Sequence, residues 1–300
     1  GVGSDFERYK VWTDGINFQR LKLASISSTL EWDLGPATLT SVTAWWMGKY
    51  RSRGDIDGGF GAAFLPVSGP GFIPFPAQSR DDVPDLDQVT QEVRLSSNND
   101  EGLKWQAGVF YFDEDLAIAS LNYDNPQDTN ASVIALQQQN SKAWGVFGSL
   151  TYPVSEQLAL TAGVRYNNDK RRLDVGRTGF FGAIGTGFAR VKDDNLTWDL
   201  SATYAATNDI NLYARVAKGY RAPSIQGRAL FVFTTVQDAI STADSETILS
   251  FEGGVKANLG GRSRFNLSIF KYDLKDAQLT AVGGTSNAAT LINADKVDGY

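Results

Sequence analysis

The sequence predicts an all-β chain, an antiparallel up-and-down transmembrane β-barrel of which only part is present. Three observations lead there. Hydrophobicity repeats with a period of two along most of the chain, connections alternate between short and long, and the strand-like stretches run to about ten residues or more, the length a tilted strand needs to cross a bilayer.

The first element reads from Ala24 to Leu34. Ala24, Ile26, Leu30, Trp32 and Leu34 share one face, while Ser25, Ser27, Thr29, Glu31 and Asp33 share the other. That alternation is a strand with one apolar and one polar face. Thr38–Tyr50 follows with weaker alternation. Val89, Val93 and Leu95 then oppose Thr90, Glu92, Arg94 and Ser96, and Trp105, Ala107, Val109 and Tyr111 oppose Lys104, Gln106 and Gly108. Trp144, Val146, Leu150 and Tyr152 form the apolar side of the next strand, and Leu158, Leu160, Ala162, Val164 and Tyr166 that of the one after. Leu196, Trp198, Leu200, Ala202 and Tyr204 continue the series, then Asn211–Tyr220, Leu249–Lys256 and Phe265–Leu274. A further strand begins near Ile292. Ala131–Gln139 reads either as a short helix within a loop or as an irregular polar loop.

Short turns are expected at Gly35–Pro36, Ser97–Gly102, Pro153–Gln157, Ala206–Asp209 and Gly260–Ser263. Between them fall long links, Arg51–Asp87, Glu114–Asn140, Leu173–Asp194, Ala222–Asp244 and Asp276–Thr290. One end of the sheet is trimmed and the other elaborated, as in a barrel with short periplasmic turns and long extracellular loops; a Greek-key sandwich does not alternate so regularly. Trp144 and Tyr152 sit eight positions apart on one face, about 26 Å of strand and roughly 20 Å of height at a ~40° tilt. Two aromatic girdles flanking an apolar band have that spacing, although the same aromatics would also fill a soluble core.

Composition removes other classes. The chain has no Cys and no His, which excludes disulfides, thiolate or imidazole metal ligands, and His-based acid–base chemistry within it. A net charge of −6 argues against a nucleic-acid partner. The Gly-rich stretch Gly176–Gly187 lacks the Lys-Ser/Thr of a phosphate loop. Catalysis finds no candidate: Glu92 and Glu252 lie on different strands with nothing in the sequence to join them. No enzyme activity, no cofactor and no metal are expected.

Several segments resemble the TonB-dependent receptors. Leu212–Ser224, reading LYARVAKGYRAPS, is similar to the barrel signature of that family, as is Gln91–Ser97, reading QEVRLSS. Trp105–Asp113, Leu160–Tyr166 and Ser250–Lys256 resemble three more of its barrel strands, and the five occur in the family's order. The resemblance implies a Gram-negative outer-membrane importer: a barrel of about 22 strands, half of which would be present here, with a plug domain inside and energy from TonB in the inner membrane. Its cargo would be a scarce large nutrient such as a ferric siderophore. Residues 1–300 are then a single barrel segment of a larger protein, with the plug domain and the C-terminal strands outside it. The implied partners are outer-membrane lipid, TonB and the nutrient. Two other readings stay open, a passive porin-like channel and a soluble all-β carbohydrate-binding protein.

Two sets of site residues follow. The polar wall positions Glu92, Arg94, Arg165, Arg215, Glu252 and Lys256 are expected to face the lumen, where the resemblance implies contacts with a plug; plain solvation of a wet interior is the alternative. The link Arg51–Asp87 carries Arg51, Arg53, Asp55, Asp57, Phe60, Phe64, Phe72 and Phe75, a mixture able to grip a large ligand or to pack on itself. Its acidic run Asp81–Asp87 offers oxygen donors for a cation such as Ca²⁺ without the spacing of a known calcium loop, and reads better as a solvated acidic link.

Overall fold

The structure is a computed structural model that describes residues 15–55, 78–99, 101–125, 128–179, 182–230, 235–260, 263–283 and 288–300. Its strands are β1 (Phe18–Asp33), β2 (Ala37–Asp55), β3 (Gln78–Ser97), β4 (Lys104–Tyr123), β5 (Val133–Pro153), β6 (Leu158–Gly179), β7 (Gly182–Thr207), β8 (Ile210–Arg221), β9 (Ser224–Gly227), β10 (Ile240–Ala243), β11 (Glu246–Asn258), β12 (Arg264–Gly283) and β13 (Ala288–Gly299). Eleven of them form one sheet in the order β1-β2-β3-β4-β5-β6-β7-β8-β11-β12-β13, every pair antiparallel. β9 and β10 pair only with each other. The sheet is open, with β1 and β13 at its two edges.

Register turns the period of two into two continuous faces, because directly opposed residues share a side. On one, Trp105 stands opposite Leu150, Leu150 opposite Ala162, Ala162 opposite Leu200, Leu200 opposite Val216 and Val216 opposite Phe251. This apolar face lies bare: Trp32 is 63% exposed and Leu150 51%. Its breadth matters more than any single exposed residue, since soluble monomers rarely leave a large contiguous apolar patch uncovered. The other face is polar and carries Thr29, Glu31, Glu92, Arg94, Thr197 and Ser201.

Tight connections close one end. Gly35 and Gly260 turn with φ of 89° and 83°, a region that favours glycine, and Gly102 does the same at 80°. Asn98 stitches two of these turns together, donating to Asp33 Oδ1 at 3.1 Å and to the Gly35 carbonyl at 2.9 Å.

At the other end the structure corrects several expectations. Leu173–Asp194 is no long link: β6 runs on to Gly179 and β7 starts at Gly182. Asp276–Thr290 likewise belongs to β12 and β13, and Glu114–Asn140 to β4 and β5 apart from residues 124–132. Ala131–Gln139 is neither helix nor loop, because β5 begins at Val133. Arg51 and Arg53 are strand residues of β2, and Asp81–Asp87 lies inside β3, whose pairing is interrupted by a bulge between Asp82 and Asp85. The reason is common to all. Beyond the apolar band each face mixes polar and apolar residues, so the hydrophobic period vanishes while backbone pairing continues. Asp57, Phe60, Phe64, Phe72 and Phe75 lie outside the described residues.

Candidate functional site: the polar face and its mouth

The six charged wall residues all fall on the polar face, in two groups near the tight-turn end. In the first, Arg94 Nη1 and Glu92 Oε1 pair at 3.2 Å within β3. Glu92 stands opposite Phe110, and Arg165 lies over the rings of Phe110 and Phe147 at 5.3 and 5.7 Å while donating to Asn167 Oδ1 at 2.6 Å. Glycine makes room for this: a Cβ on Gly108 would meet Phe147 Cζ at 2.6 Å, and one on Gly145 would meet the Arg165 guanidinium at 3.0 Å.

In the second group Arg215 is directly opposite Glu252. Arg215 Nε donates to Asp199, Tyr213 Oη donates to Glu252 Oε1 at 2.6 Å, and Lys256 Nζ lies over the Tyr213 ring at 5.5 Å. Tyr213 covers Gly254, where an added Cβ would meet its ring at 2.6 Å. Gly254→Val should therefore press on the Leu267 carbonyl of β12 as well as expel the ring, break the Tyr213–Glu252 bond and cost about 3 kcal/mol by overpacking. Urea unfolding checks this, and Gly253→Val, which would meet only the Tyr213 carbonyl at 3.6 Å, is the control.

Arg51 and Arg53 do not join these groups. They lie on the apolar-face side of β2, beyond its band. Arg51 Nε reaches Asp82 at 3.4 Å, and Arg53 is buried, donating to Gln78 Oε1 at 2.7 Å with its guanidinium 3.8 Å from the Tyr123 ring. The acidic run is likewise engaged. Asp82 also takes Arg80 at 2.6 Å, Asp81 accepts from Ser120 at 2.8 Å and Asp87 from the Trp45 indole at 2.9 Å. The Asp82 hydrogen bond raises Arg80 above its ordinary guanidinium value. Among the described residues, no group of acidic side chains is arranged to hold a metal ion.

Sequence reasoning missed the most prominent feature of the polar face. The segment between β8 and β11 does not project away from the sheet. It folds as the β9–β10 hairpin with a single turn of 3-10 helix, Gln237–Ala239, and packs on the polar face above the charged groups. Ala229, Leu230 and Val236 bury themselves against Ala135, Leu173 and Val175 of β5 and β6. Leu173 is eight positions from Arg165 on the same strand, about 26 Å away along it. The base of the hairpin is clamped from β12 and β13. Gln278 Nε2 donates to the carbonyls of Ala222 at 2.8 Å and Asp244 at 2.9 Å, and its Oε1 accepts from Ser224 at 2.6 Å. Asn293, opposite Gln278, exchanges bonds with the Asp244 backbone at 2.8 and 3.0 Å. On the far side, Gln237 mimics a neighbouring strand. Its amide accepts from the Phe188 N–H at 3.0 Å and donates to the Phe188 carbonyl at 3.1 Å, on the length of β7 that β8 is too short to cover. No period or motif marks Gln237, Gln278 or Asn293 in the sequence.

Comparison with known proteins agrees with this geometry. The family model described as "TonB dependent receptor-like, beta-barrel" matches residues 2–300. The fold is similar to that of the ferric yersiniabactin uptake receptor FyuA from Yersinia pestis, at a TM-score of 0.73 and 17% identity over 94% of this chain and 39% of that one. It is also similar to the siderophore receptor PiuA from Acinetobacter baumannii (0.67, 14% identity, 96% and 44% covered) and to the closed form of the ferric-catecholate import receptor Fiu from K12 E. coli (0.63, 14%, 95% and 44%). The chain thus spans about two fifths of the length of these three structures. Its eleven-stranded sheet is a partial barrel wall of that kind.

Proposed function

Because the chain belongs to the TonB dependent receptor-like β-barrel family, a family of receptors and transporters, we propose that the protein imports a scarce, large nutrient such as a ferric siderophore across a bacterial outer membrane. In this reading the apolar face meets lipid and the polar face lines the lumen. The charged groups of Glu92, Arg94 and Arg165 and of Arg215, Glu252 and Lys256 would contact a plug domain, and TonB would supply the energy. The observation that carries the reading is a single one. The face that holds all six charges also holds, at its far end, a hairpin packed against β5 and β6 and clamped from β12. Such a fixed segment would give a large cargo a contact surface ahead of the charged wall.

The hairpin and the strand ends around it are where cargo would first be held, since the wall below offers ion pairs rather than an enclosed pocket. Growth of a deletion strain on defined nutrients tests this. Loss of growth on one ferric siderophore as sole iron source, restored by the wild-type gene but not by one lacking its TonB-interacting segment, is expected. Unimpaired growth on every iron and sugar source supplied would sink the proposal, and rescue without TonB would favour a passive channel.

A further inference from the structure

The apolar face is interrupted in the middle of its band. On β1, β2 and β3 a polar row crosses it, with Ser28 opposite Thr43 and Thr43 opposite Gln91. Ser41 joins from the next step of β2, opposite Leu30 and Val93. Apolar rows lie on either side. Ile26, Trp45 and Val89 stand opposite one another above it, and Trp32, Leu39 and Leu95 stand opposite one another below, toward the tight turns. Thr43 is six residues from the turn end of β2 and Gln91 six from that of β3. That is about 20 Å of strand, or roughly 15 Å of height at a ~40° tilt, well inside an apolar band about 25 Å tall.

These side chains are bonded to one another. Thr43 Oγ1 donates to Gln91 Oε1 at 2.5 Å, and Gln91 Nε2 donates to Ser41 Oγ at 2.9 Å and to the Glu92 carbonyl at 3.1 Å. Tyr111, next on the row, turns its hydroxyl instead to Asp113 Oδ2 at 2.8 Å. The network uses both protons of the amide. The hydroxyl proton of Ser41 nevertheless finds no acceptor among the described residues, and Ser28 Oγ joins none of these bonds. Hydrocarbon offers neither group a partner, and polar groups left unpaired there are costly. No member of the patch is charged, so what fits it is neutral and carries donors and acceptors together.

We propose that this patch is where two copies of the protein meet in the plane of the membrane. The proposal rests on the membrane reading above. The occupant follows from the chemistry. Acyl chains have neither donor nor acceptor, and a partner with an ionised group would have to desolvate it in hydrocarbon. A second copy related by a twofold axis presents the same hydroxyls and the same amide. Because a hydroxyl both donates and accepts, the surface is its own complement. Polar side chains hold membrane segments together in this way. Ile26, Trp32 and Trp45, all exposed on the single chain, would close around the polar row and keep lipid out.

Cross-linking of the full protein in lipid vesicles, in a background free of other cysteines, tests it. Ser28→Cys treated with a short bifunctional thiol reagent should give a covalent dimer, while Leu200→Cys, on the same face of β7, should not. Adding Thr43→Val/Gln91→Leu to Ser28→Cys should lower the dimer yield roughly tenfold, because hydrocarbon side chains replace the hydrogen-bonding groups. Sedimentation equilibrium in detergent without a cross-linker should show the same shift between dimer and monomer. A wild type that sediments as a monomer throughout, equal dimer from Leu200→Cys, a yield unchanged by Thr43→Val/Gln91→Leu, or cross-linking of Ser28→Cys only to a different protein would each overturn the proposal. Heat-modifiable migration on a gel reports separately whether each variant is a folded membrane barrel, so failure of the dimer and failure of the membrane reading are distinguishable.

Discussion

Leu150→Arg, a step inside the tight-turn girdle, should destabilise the folded protein in lipid by about 1–2 kcal/mol, whereas Ser149→Arg, one residue away, should change stability by no more than about 0.5 kcal/mol. The two positions occupy opposite faces of β5. Leu150 lies in the row that runs from Trp105 through Ala162 and Leu200, between Tyr152 at the tight-turn end and Trp144 at the other. A guanidinium there must either enter hydrocarbon or bend toward the interface. On Ser149 it enters the polar face, opposite Gly163 of β6, which in turn stands opposite Asp199 of β7. Equilibrium unfolding in urea from lipid vesicles measures both. Equal costs would mean that the bare apolar face does not meet lipid, and the membrane assignment would fail with it.

The second large effect is local. Leu173→Ala should weaken docking of the β9–β10 hairpin by about 2–5 kcal/mol, the range for truncating a buried leucine whose surroundings relax only partly. Leu173 is 2% exposed and faces Gly227, where a Cβ would meet its Cδ2 at 2.8 Å, so the fit is close on both sides. The wall around Leu173 is held by its own ladder and should stay intact. The expected signature is therefore faster hydrogen exchange confined to residues 222–243, with the β6 and β7 amides still protected. Gln278→Ala removes hydrogen bonds instead of apolar contact and should produce the same pattern with smaller amplitude. Exchange that rises evenly across β5, β6 and β7 would show the hairpin to be part of the wall's own stability.

The sequence was most legible where physics left one signal per residue. Within the apolar band each strand has one face that must be apolar, so Leu158, Leu160, Ala162, Val164 and Tyr166 give β6 its position and register at sight. Twelve residues later the same strand reads Lys170, Arg171 and Arg172, water or polar side chains meet both faces, and the period disappears although the ladder with β5 and β7 continues unbroken. Long extracellular loops were thus expected where strands run on. The charged wall positions were legible for the same reason as the strands, since parity alone puts Glu92, Arg165, Arg215 and Glu252 on one side. What parity could not reveal is partnership. Arg53 with Gln78 and Tyr123, Asp82 with Arg51 and Arg80, and Gln278 with the two ends of the hairpin all depend on register across strands and on a bulge that the sequence does not announce.

β8 and β11 pair without interruption from Arg221 opposite Glu246 to Ile210 opposite Ala257, as though the residues between them were not there. The wall therefore closes over its largest described insertion without adjusting a single pairing. Everything the hairpin contributes lies on the polar face across a seam that would form equally well with a shorter or different segment. Such an arrangement separates two inheritances. If the protein imports a cargo as proposed, changes that fit it to its membrane would fall in the ladder, and changes that fit it to a new cargo could fall in the insert. Exchanging residues 222–245 between relatives should accordingly transplant selectivity while leaving insertion and assembly of the recipient untouched.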